Sequence, residues 1–135
     1  YDFFYLPIDF SSAANLSFAF VNFLTPSLAV AGLKHFDGFT LPVAWGFSTQ
    51  QPALSSSWSD LQGFSKHVEK YCSSPVMHPC IPDEWKPIAL SKGGRVPFPP
   101  PTKQIKPPKQ NKFRVQAAAA AASVVPPADH VHIAR

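Results

Sequence analysis

The residues with the most chemistry to offer in this 135-residue chain are aromatic rings at alternating positions. In LSFAFVNF, residues 16–23, Phe18 and Phe20 fall on one side of an extended backbone and Ala19, Val21 and Phe23 on the other, because successive side chains of a strand point to opposite faces. In YDFFYLPID, at the start of the chain, Tyr1, Phe3 and Tyr5 alternate in the same way with Phe4, Leu6 and Ile8. Flat rings side by side on an open sheet face form a surface on which bases of single-stranded nucleic acid stack. Turned inward, the same rings would be core, and their spacing allows both readings.

Other chemistries find less support. Hydrolysis by a serine nucleophile would need a strand-to-helix elbow of the G-x-S-x-G kind, and acid–base work would need paired carboxylates in an apolar setting. Neither occurs, so no enzyme is expected. Gly93-Gly94 lacks the Lys-Ser/Thr ending of a phosphate loop. His67, Cys72, His78 and Cys80 follow an H-x4-C-x5-H-x-C spacing that matches no paired zinc pattern, so no metal or other cofactor is expected. His130 and His132 lie near the end of a polar tail and read as solvated side chains.

Charge divides the chain. Residues 1–91 carry four Lys/Arg against seven Asp/Glu, net −3, whereas residues 92–114 carry seven Lys/Arg and no acid. Attraction to phosphate therefore belongs to the tail, where Lys103, Lys106, Lys109 and Lys112 are candidate, weak phosphate contacts. Thirteen of the sixteen prolines lie at or beyond Pro52, and Pro97 and Pro100 form one P-x-x-P, which reads first as a stiff cationic linker. No run of 18 apolar residues occurs, so no membrane partner is expected. Two cysteines without disulfide density suit a reducing intracellular compartment, nucleus or cytoplasm.

The elements that must position the rings follow from local signals. Residues 1–9 and 16–23 read as strands close enough to pair antiparallel. Thr25-Pro26 starts a helix, since Thr caps free amides and Pro at the first position lacks the amide that would go unpaired; Asp37-Gly38 stops it. Residues 42–47 are a third strand candidate. Trp58, Leu61, Phe64, Val68 and Tyr71 recur at helical spacing, with Ser57 and Asp60 placed like a capping box, which predicts a helix at about 58–72. Residues 73–91 read as extended and partly docked. From Lys92 onward the basic, proline-rich sequence and the six alanines 117–122 predict disorder. Three segments result: 1–49, 50–91 and 92–135.

Set against the K/R-G-F/Y-G/A-F-V-x-F/Y octapeptide of RNA recognition motifs, LSFAFVNF matches at Phe18, Ala19, Phe20, Val21 and Phe23. It departs at Leu16, where a cation is usual, and at Ser17, where glycine is usual. With the flanking strings YDFFYLPIDF, TPSLAVAGLKHFDGF, LQGFSKHVEKY and SSPVMHPCIPDEWKP in order, residues 1–101 resemble the C-terminal RNA recognition motif of the Mei-two-like proteins. The resemblance implies an α+β, ferredoxin-like βαββαβ fold and single-stranded RNA as partner. It makes Phe18 and Phe20 base-stacking candidates, with Phe3, Tyr5 and Asn22 as weaker RNA contacts. The first strand and helix of such a fold have no counterpart here. That reads as a fragment whose sheet is open between its third and fourth strands. Two further readings stand beside RNA binding: a protein-interaction module whose extra helix covers the sheet face, and a truncated fragment that binds nothing.

Overall fold

The alternating aromatic runs form strands, and the computed structural model describes them within residues 1–10, 12–42, 44, 52–108 and 130–134. In chain order the elements are β1 (Phe3–Tyr5), β2 (Ile8–Asp9), β3 (Ala14–Asn15), β4 (Phe18–Asn22), α1 (Pro26–Phe36), β5 (Ser55–Trp58), α2 (Phe64–Tyr71), β6 (Ile88–Ser91), β7 (Gly94–Val96) and β8 (His130–Ala134). Two short 3-10 turns, Pro75–Met77 and Asp83–Trp85, lie between α2 and β6. Six strands make one sheet in the order β5-β8-β4-β1-β6-β7, and β2 and β3 form a separate hairpin.

At the centre, β1 and β4 are antiparallel as expected, with Phe3 opposite Asn22 and Tyr5 opposite Phe20. The N-terminal run is shorter than the sequence suggests: Pro7 has no amide to donate, so β1 ends at Tyr5 and the chain turns into the β2–β3 hairpin. Ser17, just before β4, has φ 61°, and its amide donates to Asn15 Oδ1 at 2.9 Å. That left-handed backbone is why the related octapeptide favours glycine at this position, and serine there carries a steric cost.

Helix α1 begins where Thr25-Pro26 predicts. Thr25 Oγ1 accepts from the Leu28 amide at 3.3 Å, and Gly38 leaves the helix at φ 75°. Its small residues Ala29 and Gly32 are the ones buried against the sheet. A Cβ added to Gly32 would stand 2.5 Å from the tip of the Phe23 ring, so a larger residue there would have to displace that ring.

Several expectations are corrected. The helix predicted over 58–72 starts only at Phe64: Gly63, at φ 90°, occupies the cap position, and Ser57 and Asp60 form no capping box. Trp58 belongs instead to β5, because Ser55–Trp58 finds a strand partner far away in sequence. Residues 73–91 contain the two 3-10 turns and β6, which pairs with β1. The tail is not uniformly structureless. Gly94–Val96 closes a hairpin on β6, and Phe98 packs at 6.4 Å from Phe3. Thr102 is tied to Ser73, its amide donating to Ser73 Oγ at 3.1 Å. The third strand candidate at 42–47 lies outside the described residues except for Pro42 and Ala44.

The largest correction concerns the seam in the sheet. β8 fills it, running parallel to β4 on one side, where His132 pairs with Phe20, and parallel to β5 on the other, where His132 pairs with Ser57. Ile133 is fully buried in a cluster with Val21, Ala29 and Leu54, and its carbonyl accepts from the Ser59 amide at 2.9 Å.

On the opposite face α2 lies across β1. His67, fully buried, stacks on Phe3 with ring centroids 4.3 Å apart, and Tyr71 stacks on the same ring at 5.7 Å. Neither nitrogen of His67 has a hydrogen-bond partner. Desolvation, aided by the Lys70 charge and opposed by Asp2, lowers its pKa to about 4.

Three outcomes follow from this packing. Ile133→Ala should cost about 2–5 kcal/mol in denaturant titrations, the loss of a core side chain, although the surrounding composition is that of a tail. Ser17→Gly should stabilise the chain by about 0.5–1 kcal/mol by relieving the left-handed serine. His67 binds its proton more readily unfolded than folded, so its contribution is complete above about pH 6.5 and falls as pH drops towards about 4. The upper bound of that loss is about 3 kcal/mol. Melts of the parent and His67→Leu, which has no proton to bind, should therefore lie closest near neutral pH and separate in acid, where only the parent loses stability through that proton.

Candidate nucleic-acid interface

The sheet face opposite α1 carries the predicted rings, and α2 divides it. Over β1, Phe3 is sealed beneath His67 and Tyr71, and Tyr5 meets Tyr71 edge-on at 4.8 Å. Val76 and Ile81, from the segment after α2, complete the cover. Burial raises the pKa of Tyr5, and burial together with Tyr5 pushes Tyr71 up to about 12, so both phenols are neutral at physiological pH. Phe3 and Tyr5 thus offer no open ring face to a base in this arrangement. Asn22 is also buried, and its Nδ2 donates to Asp2 Oδ1 at 2.7 Å. Phe3 and Tyr5 are the floor beneath α2, and Asn22 lies opposite Phe3 on the neighbouring strand.

Over β4 the face is different. Phe18 and Phe20 are both half-buried, and their rings meet edge-to-face at 5.5 Å and 84°. The helix predicted to cross them would have brought Trp58, Leu61 and Phe64 over the rings. Trp58 sits instead in β5, paired with Ile133. Lys70, in the last turn of α2, holds its ammonium 5.9 Å from the Phe20 ring centre and 5.5 Å from that of Tyr71. The arrangement places a cation at the border between the covered and the half-buried rings, within cation–π reach of one ring on each side.

Sequence reasoning missed His132. Rather than standing alone in solvent, its ring stacks on Phe20 at 4.9 Å and 22° and meets Phe18 edge-on at 5.3 Å. The signal was the alternation His130-Val131-His132-Ile133, a strand pattern too short to stand out in a polar tail. Lys70 was missed because its position depends on where α2 crosses the sheet.

Of the tail cations, Lys103 and Lys106 are exposed, and Lys103 directly follows the Thr102 contact that ties the segment to the end of α2. Lys109 and Lys112 lie outside the described residues. His78 Nδ1 and Cys80 Sγ approach to 2.9 Å in an exposed turn, while Cys72 is buried elsewhere. Among the described residues no three metal-ligating side chains come together, and no helix is long and apolar enough to cross a membrane.

Comparison with known proteins agrees with this geometry. The family described as RNA recognition motif 2 matches residues 1–72. The protein MEI2-like 2 of Oryza sativa subsp. japonica is 29% identical over 102 residues, 73% of this chain and 12% of the relative. Protein terminal ear1 of Zea mays is 32% identical over 91 residues, 67% of this chain and 13% of the relative. Meiosis protein mei2 of Schizosaccharomyces pombe is 28% identical over 130 residues, 94% of this chain and 16% of the relative. The chain thus spans a small part of the length of each of these relatives. With the family matched across more than half of the chain, and its strands and α1 where the octapeptide and flanking strings require them, the chain belongs to the RNA recognition motif 2 family of the Mei-two-like proteins.

Proposed function

We propose that the open half of the sheet binds single-stranded RNA by stacking bases on Phe18 and Phe20. The observation that carries this reading is the division of one aromatic face. Phe3 is fully buried under α2, whereas Phe18 and Phe20, on the neighbouring strand, keep exposed surface and face each other at 5.5 Å. Stacking needs no more than such a surface and cations near it, because every base has a π face and each nucleotide a phosphate. Lys70 stands at the edge of the platform, and exposed Lys103 and Lys106 continue the positive charge along the segment held by Thr102. Lys109 and Lys112 extend the same run in sequence. Asn22, Phe3 and Tyr5 then serve as support, holding β4 and β1 in register.

A second reading is favoured by α2. An extra helix already seals β1 with His67 and Tyr71, and a protein partner that extended this cover over Phe18 and Phe20 would use the same rings as an apolar docking surface. The two readings differ in what the rings prefer.

In the RNA reading, Phe18→Ala and Phe20→Ala should each weaken single-stranded RNA binding by about 1–3 kcal/mol while the melt stays near that of the parent. Val21→Ala, on the α1 side of the same strand, should behave in the opposite way, losing about 1.5–3 kcal/mol of stability with RNA binding per folded molecule unchanged. Titrations with labelled RNA and thermal melts of the three variants separate the cases. If Phe18→Ala and Phe20→Ala unfold the chain and leave the affinity of folded molecules intact, the rings are packing groups and the RNA reading fails.

A further inference from the structure

The segment after α2 brings the exposed thiol of Cys80 against an imidazole, a pairing that has no part in the aromatic face. Pro79 favours a turn here, because its ring presets the backbone for the second position of one. The Ile81 amide closes the turn by donating to the His78 carbonyl at 2.9 Å, and the His78 amide donates back to the Pro75 carbonyl at 3.1 Å. Val76 before the turn and Ile81 after it are both buried in the cluster that contains Phe3 and Tyr5. His78 and Cys80 are therefore presented by a segment pinned to the core at both ends.

Within the turn, the Cys80 amide donates to His78 Nδ1 at 3.2 Å, and Cys80 Sγ lies 2.9 Å from the same nitrogen. A ring nitrogen that accepts from an amide carries no hydrogen, so the thiol is the donor to it. That is the relation of a nucleophile to a base: an acceptor for the proton is already in place when the sulfur attacks. His78 is half-buried and Cys80 exposed, which leaves the sulfur open to a reagent. The second cysteine shows the contrast. Cys72 is buried, and its Sγ meets the Glu69 carbonyl at 3.7 Å and the Ser73 hydroxyl at 3.8 Å, neither of them a base.

We propose that Cys80 is a modification site, a thiol that His78 activates for exchange with small-molecule disulfides. His78 Nδ1 takes the thiol proton as the Cys80 sulfur attacks one sulfur of the disulfide. A new S–S bond to Cys80 forms as the old one breaks, and the departing sulfur takes the proton from Nδ1. One thiol and one disulfide enter, one mixed disulfide and one thiol leave, and no other oxidant or reductant takes part. The adduct stands next in sequence to Ile81, one of the side chains that cover Phe3 and Tyr5, so the modified sulfur lies beside that cover.

The test uses the full 135-residue chain and dipyridyl disulfide, with release of pyridinethione followed by absorbance and the adduct located by peptide mass. At neutral pH little of an ordinary thiol is ionised, which leaves room for a base to help, although a more acidic sulfur is also a weaker nucleophile. Cys80 should be labelled before Cys72, and His78→Gln should slow its labelling roughly 3- to 10-fold. At about pH 9.5 a thiol loses its proton unaided, so parent and variant should react alike. Earlier labelling of Cys72, or an unchanged rate in His78→Gln at neutral pH, overturns the proposal. So does the same rate ratio at both pH values, which would make His78 a shaper of the turn and not a proton acceptor. Should His78→Gln unfold, the parent alone decides: at neutral pH its Cys80 should react faster in the native chain than in urea, where His78 no longer faces it. A faster thiol in urea overturns the proposal, because exposure alone then sets the rate.

Discussion

A strand in the interior of a sheet must pair its amides and carbonyls along both edges, since a buried backbone group without a partner costs as much as a lost hydrogen bond. Strand β4 meets that requirement with β1 on one side and β8 on the other. The strand that carries Phe18 and Phe20 is thus held flat between partners that come from the two ends of the chain. Phe18 pairs with His130, more than a hundred residues away, and that contact closes a very long loop. Closure cost grows only slowly with loop length, so burial of a single well-placed isoleucine and a ladder of backbone hydrogen bonds can offset much of it. The order of the strands depends on this one insertion: without β8, β5 has no partner in the sheet.

The second organising contact is the stack of His67 on Phe3. Placing an imidazole without hydrogen-bond partners in the core is costly, and the neutral ring tolerates it because flat contact with Phe3 and Tyr71 replaces part of its hydration. The effect on the surface is larger than the effect on the core. By seating α2 over β1, the stack covers one half of an aromatic sheet face and leaves the other half open, and it brings Lys70 to the border. Core and candidate binding surface are therefore two parts of one continuous ring array, separated by where a helix of eight residues ends.

What the sequence revealed depended on the range of the signal. Thr25-Pro26 and Asp37-Gly38 determine α1 through hydrogen bonds within a turn, and the alternation in LSFAFVNF assigns Ala19 and Val21 to the buried face. Both were readable because the forces are local. Strand β5 was not: Ser55–Trp58 has little strand propensity, and only its ladder with β8 makes it extended, while Trp58 three residues before Leu61 imitates a helix. The end of the chain misled for a related reason. Basic, proline-rich and alanine-rich sequence dominates the composition after Lys92, yet His130–Ala134 needs only five residues to complete a ladder that waits for it. Among the site residues, Phe18 and Phe20 could be named from their alternation. The fate of Phe3 and Tyr5 could not, because it turns on which strand α2 crosses.

The same distinction governs the electrostatics. Residues 1–91 are net negative, and a reading by totals assigns every attraction for phosphate to the tail. Binding energy depends instead on charge within a Debye length of the ligand, about 8–10 Å at ordinary ionic strength. Lys70 belongs to the acidic part of the chain but lies 5.9 Å from the Phe20 ring, and the same charge helps keep His67 neutral beneath Tyr71. One lysine thus serves both halves of the face: it opposes protonation where the rings are sealed, and it supplies positive potential where they are open. A helix docked one turn further along would still carry Lys70 beside His67 but would take the lysine away from Phe20 and the imidazole away from Phe3, so the position of α2 links the covered half of the face to the exposed one.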